Sequence, residues 1–277
     1  MISRSKLIDQ IKQKKSFLCV GLDTDINKIP DFLLEFPDPV LEFNKRIIDA
    51  TRDLCVAYKP NAAFYESRGV QGLQSLTHTW EYLPKDCLNI IDAKRGDIGN
   101  TSDMYAKAFF DESASGMGFD AITVSPYMGH DTVSSYLAYP DKWVILLALT
   151  SSAGSHDFQY LSTDKGPLYE AVIKTANTWA GTDRMIYVVG ATKSTEFINI
   201  RKYAPDHFLL VPGVGAQGGS LAEVCKYGMT QDCGLIVNAS RSIIYASNGE
   251  DFADAARAEA LNMQQQMQVE LGKAGVI

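Results

Sequence analysis

A (β/α)8 barrel is the fold class this sequence predicts, and three observations predict it. Eight short apolar, β-rich runs follow one another along 277 residues. Most of the gaps between them carry helical spacing, the alternation that builds a parallel sheet. Charged or glycine-rich segments recur where these runs end, the place such barrels reserve for chemistry. No linker, low-complexity tract or internal repeat divides the chain, so residues 1–277 read as one domain with an extra helix at each end. A doubly wound sheet is the structural alternative.

The elements follow in order. The N-terminal segment is a short amphipathic helix with Leu7, Ile8 and Ile11 on one side, and it has no apolar signal core. Residues 16–22 form the first strand, ending at Asp23, and residues 41–54 a helix. The second strand, 55–58, closes on Lys59-Pro60-Asn61; helix 70–82 and strand 88–91 come next. Residues 101–113 read as a helix capped by Thr101 or Ser102. Strands four to eight fall at 121–124, 144–149, 185–189, 208–211 and 235–237, with a helix at 166–179. A long helix over 251–271 closes the fold.

Composition narrows the function. A content of 46% hydrophobic and 21% charged residues is that of an ordinary soluble globular protein. The net charge of −7 disfavours a nucleic-acid partner, so an anionic ligand must be held by local cations. The longest strongly apolar run, 144–149, is far too short to span a membrane. Five cysteines, widely spaced and without a CxxC pair, read as buried reduced thiols of a cytoplasmic protein. The four histidines show no metal-ligand spacing, and solvated or capping roles are expected for all of them.

Chemistry concentrates at Asp92-Ala93-Lys94-Arg95-Gly96-Asp97. Strand alternation points Asp92 and Lys94 the same way, with Asp97 just beyond in the loop. A DxKxxD pattern arises by chance in many surface loops. Here apolar residues lead into it, and Gly96 and Gly99 keep its exit free of bulk. Lys59, ending the neighbouring strand, completes an alternating set in which each charge sustains its neighbours' ionised state. Asp23 joins the same rim as a candidate acceptor for sugar hydroxyls. The formal GxGxxG at 213–218 sits too late for a dinucleotide fold; it reads as a loop whose amides approach a phosphate, with Arg241 supplying charge. The loop from Thr150 to about Lys165 lacks a nucleophile elbow and reads as a hydrogen-bonding lid.

These segments resemble the orotidine 5'-phosphate decarboxylase family, of the longer bacterial type. The resemblance rests on GLD at 21–23, YKPN at 58–61, DAKRGDIGNT at 92–101, SPYMG at 125–129, TSSAGSHDFQ at 150–159, PGVGAQGG at 212–219 and NASRSI at 238–243. One departure is Ser152-Ala153, where that subgroup carries Asn-Pro. The resemblance implies a (β/α)8 carboxy-lyase, free of cofactor and metal, that converts orotidine 5'-phosphate to UMP in the last step of pyrimidine synthesis. It implies a charged tetrad of Lys59, Asp92, Lys94 and Asp97, with Lys94 protonating C6. Asp23 would bind ribose, Ser151 the pyrimidine, and Gln217 with Arg241 the phosphate. It also implies a homodimer in which Asp97 and Thr101 reach into the partner's site. A magnesium-dependent phosphosugar barrel and a non-catalytic phosphate-ligand sensor are the alternatives.

Overall fold

The apolar runs become strands that are buried along almost their whole length, as parallel strands covered on both faces must be. The computed structural model describes residues 2–215 and 218–277. Its eight barrel strands are β1 Leu18–Leu22, β2 Ala57–Pro60, β3 Leu88–Arg95, β4 Ala121–Val124, β5 Trp143–Leu149, β6 Met185–Val189, β7 Phe208–Pro212 and β8 Leu235–Ala239. Each pairs in parallel with its sequence neighbours, and β1 pairs with β8 to close the ring. The expected β4 and β6 agree residue for residue; β7 and β8 run one and two residues further, and β2 both starts and ends two residues later than expected.

The third strand differs most from expectation. It continues through Asp92 to Arg95, and its register against β4 shifts between Ile91 and Arg95. Ile91 faces Ile122 and Arg95 faces Val124, so a bulge containing Asp92, Ala93 and Lys94 lies opposite Thr123 alone. Bulges bend a strand and re-aim its side chains, and they are common beside active sites.

Helices cover the barrel wall. The helix Pro39–Thr51 starts where Asp38 accepts the Leu41 N–H and proline takes the first position, where no N–H is needed. The long helix Phe252–Lys273 packs on it, with Phe43 and Phe252 stacked at 4.9 Å between ring centroids. The N-terminal helix Arg4–Lys14 lies across the strand N-termini. Trp143 Nε1 donates to the Ile2 carbonyl at 2.8 Å, and the Lys14 ammonium holds the Arg52 and Cys55 carbonyls at 2.9 and 3.0 Å. That end of the barrel is thereby shut.

Several expectations need correction. The helix expected at 101–113 runs Gly99–Phe110 with Ile98 at its cap; Ser102 is inside it and donates to the Thr132 carbonyl instead. The helix expected at 166–179 is the shorter Leu168–Ala176. Within the 150–165 loop lie a single turn, Ser155–Phe158, and a small hairpin that pairs Ser162–Thr163 with Gly166–Pro167. His207 is neither solvated nor capping. Both its ring nitrogens are buried without partners among the described residues, and burial, then Arg201 and Arg4, pushes its pKa down to about 4. All five cysteines are buried and unpaired.

Candidate active site

The C-terminal end of β1 carries Asp23, and two hydrogen-bonded clamps fix the chain there. From beneath, Tyr65 donates to the Leu22 carbonyl at 3.1 Å, while Asn44 donates to Tyr65 and Thr79 and accepts from Thr24. All four side chains are buried, so the network is satisfied in a dry setting where an unmade bond would be costly. From the side, Tyr245 donates to the Asp23 carbonyl and accepts the Asp25 N–H. The Asp23 carboxylate itself keeps one oxygen, Oδ1, buried and without a hydrogen-bond partner among the described residues. Gly21 lets β1 approach the loop after β8: a Cβ there would stand 2.6 Å from that of Ser240.

Lys59 and Asp92 meet at the barrel mouth. Their Nζ and Oδ2 atoms are 3.0 Å apart, and only 4% of Lys59 and 8% of Asp92 is exposed. The second carboxylate oxygen, Oδ1, receives Lys94 Nζ at 2.6 Å and the Thr123 hydroxyl at 2.9 Å. Asp23 Oδ1 stands 4.0 Å from Lys59 on its other side. Burial alone would neutralise these groups, pulling Lys59 down and pushing Asp92 up. The opposed charges win: Asp92, then Asp23, hold Lys59 above the ordinary lysine value, and Lys59, then Lys94, hold Asp92 below the usual carboxylate range. Lys59 and Asp92 are therefore both ionised at neutral pH.

Lys94 is built differently from a regular strand residue. Its φ is +45°, a left-handed conformation that costs a non-glycine residue about 1–3 kcal/mol. The alternation argument anticipated that Asp92 and Lys94 share a face; they do meet, but through the bulge. Half of the Lys94 side chain is exposed, so the ammonium stands at the edge of the open mouth.

Two adjoining cavities, of about 140 and 180 Å³, share Lys59, Asp92 and Pro212. The first is polar and reaches Asp23, Gly213, Ser240 and Arg241. The second is mainly apolar and reaches Lys94, Thr123, Leu147, Ser151, Val188 and Leu210. Arg241 opens a short helical turn after β8, and its guanidinium has no hydrogen-bond or ion-pair partner among the described residues. In the glycine loop the N–H groups of Gly215, Gly218 and Gly219 donate to carbonyls of the loop itself, and Arg241 joins Lys59 as a cation lining this lobe. Gln217, the other expected phosphate ligand, lies outside the described residues.

Ser151 lines the apolar lobe directly after β5. Gln159 pins the adjacent Thr150 with both ends of its amide: Oε1 accepts from the Thr150 N–H at 2.7 Å, and Nε2 donates to the hydroxyl at 3.0 Å. Gly190 backs the same position. A Cβ at Gly190 would fall 2.5 Å from the Ser151 nitrogen, so Gly190→Ala must push Ser151 inward or distort β6. Overpacking of this kind costs about 1–3 kcal/mol, and urea denaturation should show that loss.

Asp97 and Thr101 are not gathered into this cluster. The Asp97 carboxylate accepts from the Ile98 N–H at 2.8 Å, and Thr101 is exposed on the helix Gly99–Phe110. Thr123 and Gln159 are the residues bonded into this site that sequence reasoning did not single out. Gln159 lay inside a quoted motif; Thr123 gave no signal beyond being a polar residue in an apolar strand. Among the described residues no group of three His, Cys, Asp or Glu side chains is placed to hold a metal ion, and no helix is long and apolar enough to cross a membrane.

Fold and charges together define a (β/α)8-barrel enzyme with an array of opposed charges at its strand C-termini. A model of the orotidine 5'-phosphate decarboxylase / HUMPS family matches residues 16–256. The orotidine 5'-phosphate decarboxylase of Bacteroides fragilis is 58% identical over 274 residues, 98% of each chain. Among solved structures, the OMP decarboxylase of Leishmania donovani is 34% identical with a TM-score of 0.82, over 97% of this chain and 98% of that one. The UMP synthase of the same organism is 37% identical with a TM-score of 0.80; the match takes in 94% of this chain but 56% of that longer one. The chain belongs to the orotidine 5'-phosphate decarboxylase / HUMPS family.

Proposed function

We propose that this chain decarboxylates orotidine 5'-phosphate to UMP and carbon dioxide, closing pyrimidine nucleotide synthesis, with Lys94 as proton donor. One observation carries the reading: the Lys59–Asp92–Lys94 array lies where a polar lobe, whose Arg241 is unpaired among the described residues, meets an apolar one. A nucleotide fits that division, with phosphate toward Arg241, a ribose hydroxyl on Asp23 Oδ1, which has no hydrogen-bond partner among the described residues, and the base against Ser151. C6 then lies over Lys94. As the C6–carboxylate bond breaks, its electron pair stays on C6 and carbon dioxide departs; the Lys94 ammonium delivers the proton that replaces it.

The energetics demand preorganisation. The C6 carbanion has no carbonyl placed to delocalise it, so the barrier reduction belongs at the upper end of the roughly 8–23 kcal/mol enzymes achieve. A fixed donor contributes about 3–4 kcal/mol, and phosphate and ribose binding used to order the site contributes the rest. Carboxylate–carboxylate repulsion between substrate and Asp92 is a further contribution. Both oxygens of Asp92 are already held by ammonium groups, which supports a reaction without metal or cofactor.

Asp97 and Thr101 act in this reading from a second copy of the chain. They stand beside exposed Ile98, Met104 and Tyr105, with Tyr127 and Met128 exposed on the next loop, an apolar surface suited to a homodimer. One barrel domain over the whole chain and a cytoplasmic setting with reduced cysteines complete the proposal, as does membership of the longer bacterial type.

The test is the fall in absorbance near the orotate band when EDTA-treated protein meets orotidine 5'-phosphate. Conversion to UMP is expected; turnover of a sugar phosphate restored by magnesium, with none of the nucleotide, would overturn the reading. Arg241→Ala tests the orientation of the substrate. A hydrogen bond to a charged group contributes about 1.5–3 kcal/mol, so KM should rise roughly 10- to 150-fold. Turnover of the nucleoside lacking phosphate should be unaffected, and an equal loss on both substrates would move the phosphate elsewhere.

A further inference from the structure

We infer that Thr123 is a positioning residue for the reaction: its hydroxyl locks the bulge of β3 so that the Lys94 ammonium and Asp92 are held in one fixed geometry. This rests on the reading of Lys94 and Asp92 given above. Thr123 is the third residue of β4 and is almost fully buried. The register shift sets it opposite the three-residue bulge, where β4 offers no one-for-one backbone pairing. Its Oγ1 makes both bonds available to it there. It accepts the Lys94 N–H at 2.9 Å and donates to Asp92 Oδ1 at 2.9 Å. A threonine hydroxyl has one proton to give and lone pairs to accept with, so a single atom serves both partners at once.

The consequences differ for the two partners. At Lys94 the bond gives a partner to the amide of a residue in an unfavourable left-handed conformation. Without it, nothing at that point of the ladder opposes relaxation of φ, and the ammonium moves with the backbone. At Asp92 the bond fills the remaining space on the oxygen that Lys94 approaches, fixing the carboxylate plane between Lys59 and Lys94. Backbone pairing resumes just beyond, where the Ser125 N–H meets the Arg95 carbonyl at 2.8 Å, so the effect stays local to the bulge.

The experiment compares Thr123→Val, which keeps the shape and loses the hydroxyl, with Thr123→Ser, which keeps the hydroxyl. Misplacing a catalytic group by about an ångström costs on the order of 10²-fold, so Thr123→Val should lower kcat about 100-fold while KM and UMP affinity stay within about threefold. Thr123→Ser should recover most of the rate. Amide hydrogen exchange at Lys94 should quicken in Thr123→Val and return toward normal in Thr123→Ser, a change that a general loss of stability would spread over the whole sheet. Should Thr123→Val not fold, Thr123→Ala carries the same expectation. Unchanged kcat without the hydroxyl overturns the inference, as does an equal loss of kcat and UMP affinity in the valine and serine variants. Lys94→Ala, assayed alongside, separates the two claims. If it is inactive while Thr123→Val is fully active, only the positioning role fails; if it is active, the array reading fails and takes this inference with it.

Discussion

Lys94→Ala is expected to remove decarboxylation while leaving UMP binding nearly intact. General acid catalysis contributes about 10²–10⁴-fold, and loss of a preorganised donor a further 10²–10³-fold, so the rate should fall by at least about 10⁴-fold. The fold should survive, because half of the Lys94 side chain is exposed and its removal opens no core cavity. Single-turnover absorbance and calorimetry with UMP measure the two halves of the expectation. A residual rate within tenfold of the parent would take the proton-donor role away from Lys94.

Asp92→Asn is expected to produce the largest loss of stability. Lys59 is almost fully buried, and among the described residues Asp92 is its one hydrogen-bonded carboxylate. Breaking a buried pair from one side costs about 3–5 kcal/mol. The pH dependence has a definite sign. Asp92 is held below its ordinary value, so its stabilisation is present above about pH 4 and is lost as the pH falls below that. Lys59 is held above its ordinary value, so its stabilisation is complete below about pH 10 and is lost only as the pH rises further. Urea denaturation across a pH series should show the acid limb diminished in Asp92→Asn; superimposable acid limbs would mean the pair does not hold the native state. The same variant tests repulsion in the ground state: substrate should bind more tightly relative to UMP, and an unchanged ratio would remove that contribution.

The barrel was legible because its strands are short aliphatic runs bounded by Asp, Lys and Gly, as at 121–124 and 185–189. What periodicity could not reveal was structure made by departures from it. The bulge at Asp92–Lys94 breaks alternation, and Thr123 matters only because of that bulge. The turn Ser155–Phe158 and the hairpin after it are too short to leave a pattern. His207 is buried next to Arg201 and Arg4, and Arg4 reaches it from the far end of the sequence. The charged residues Lys59, Asp92 and Lys94 were visible in sequence because they end neighbouring strands. Asp97 and Thr101 stay apart within one chain, and no reading of a single copy brings them in.

The bulge also sets terms for anyone transplanting this centre into another scaffold. On a regular strand, residues two apart are about 6.6 Å from each other along the chain, with parallel side chains. An aspartate and a lysine grafted at that spacing would stand abreast, without the left-handed turn of backbone that sets this pair. The transferable unit is therefore larger than its charged residues: it includes the two surplus positions of β3, the left-handed backbone at Lys94, and a threonine on the adjoining strand. A designed barrel lacking any of these would carry the right residues in the wrong geometry.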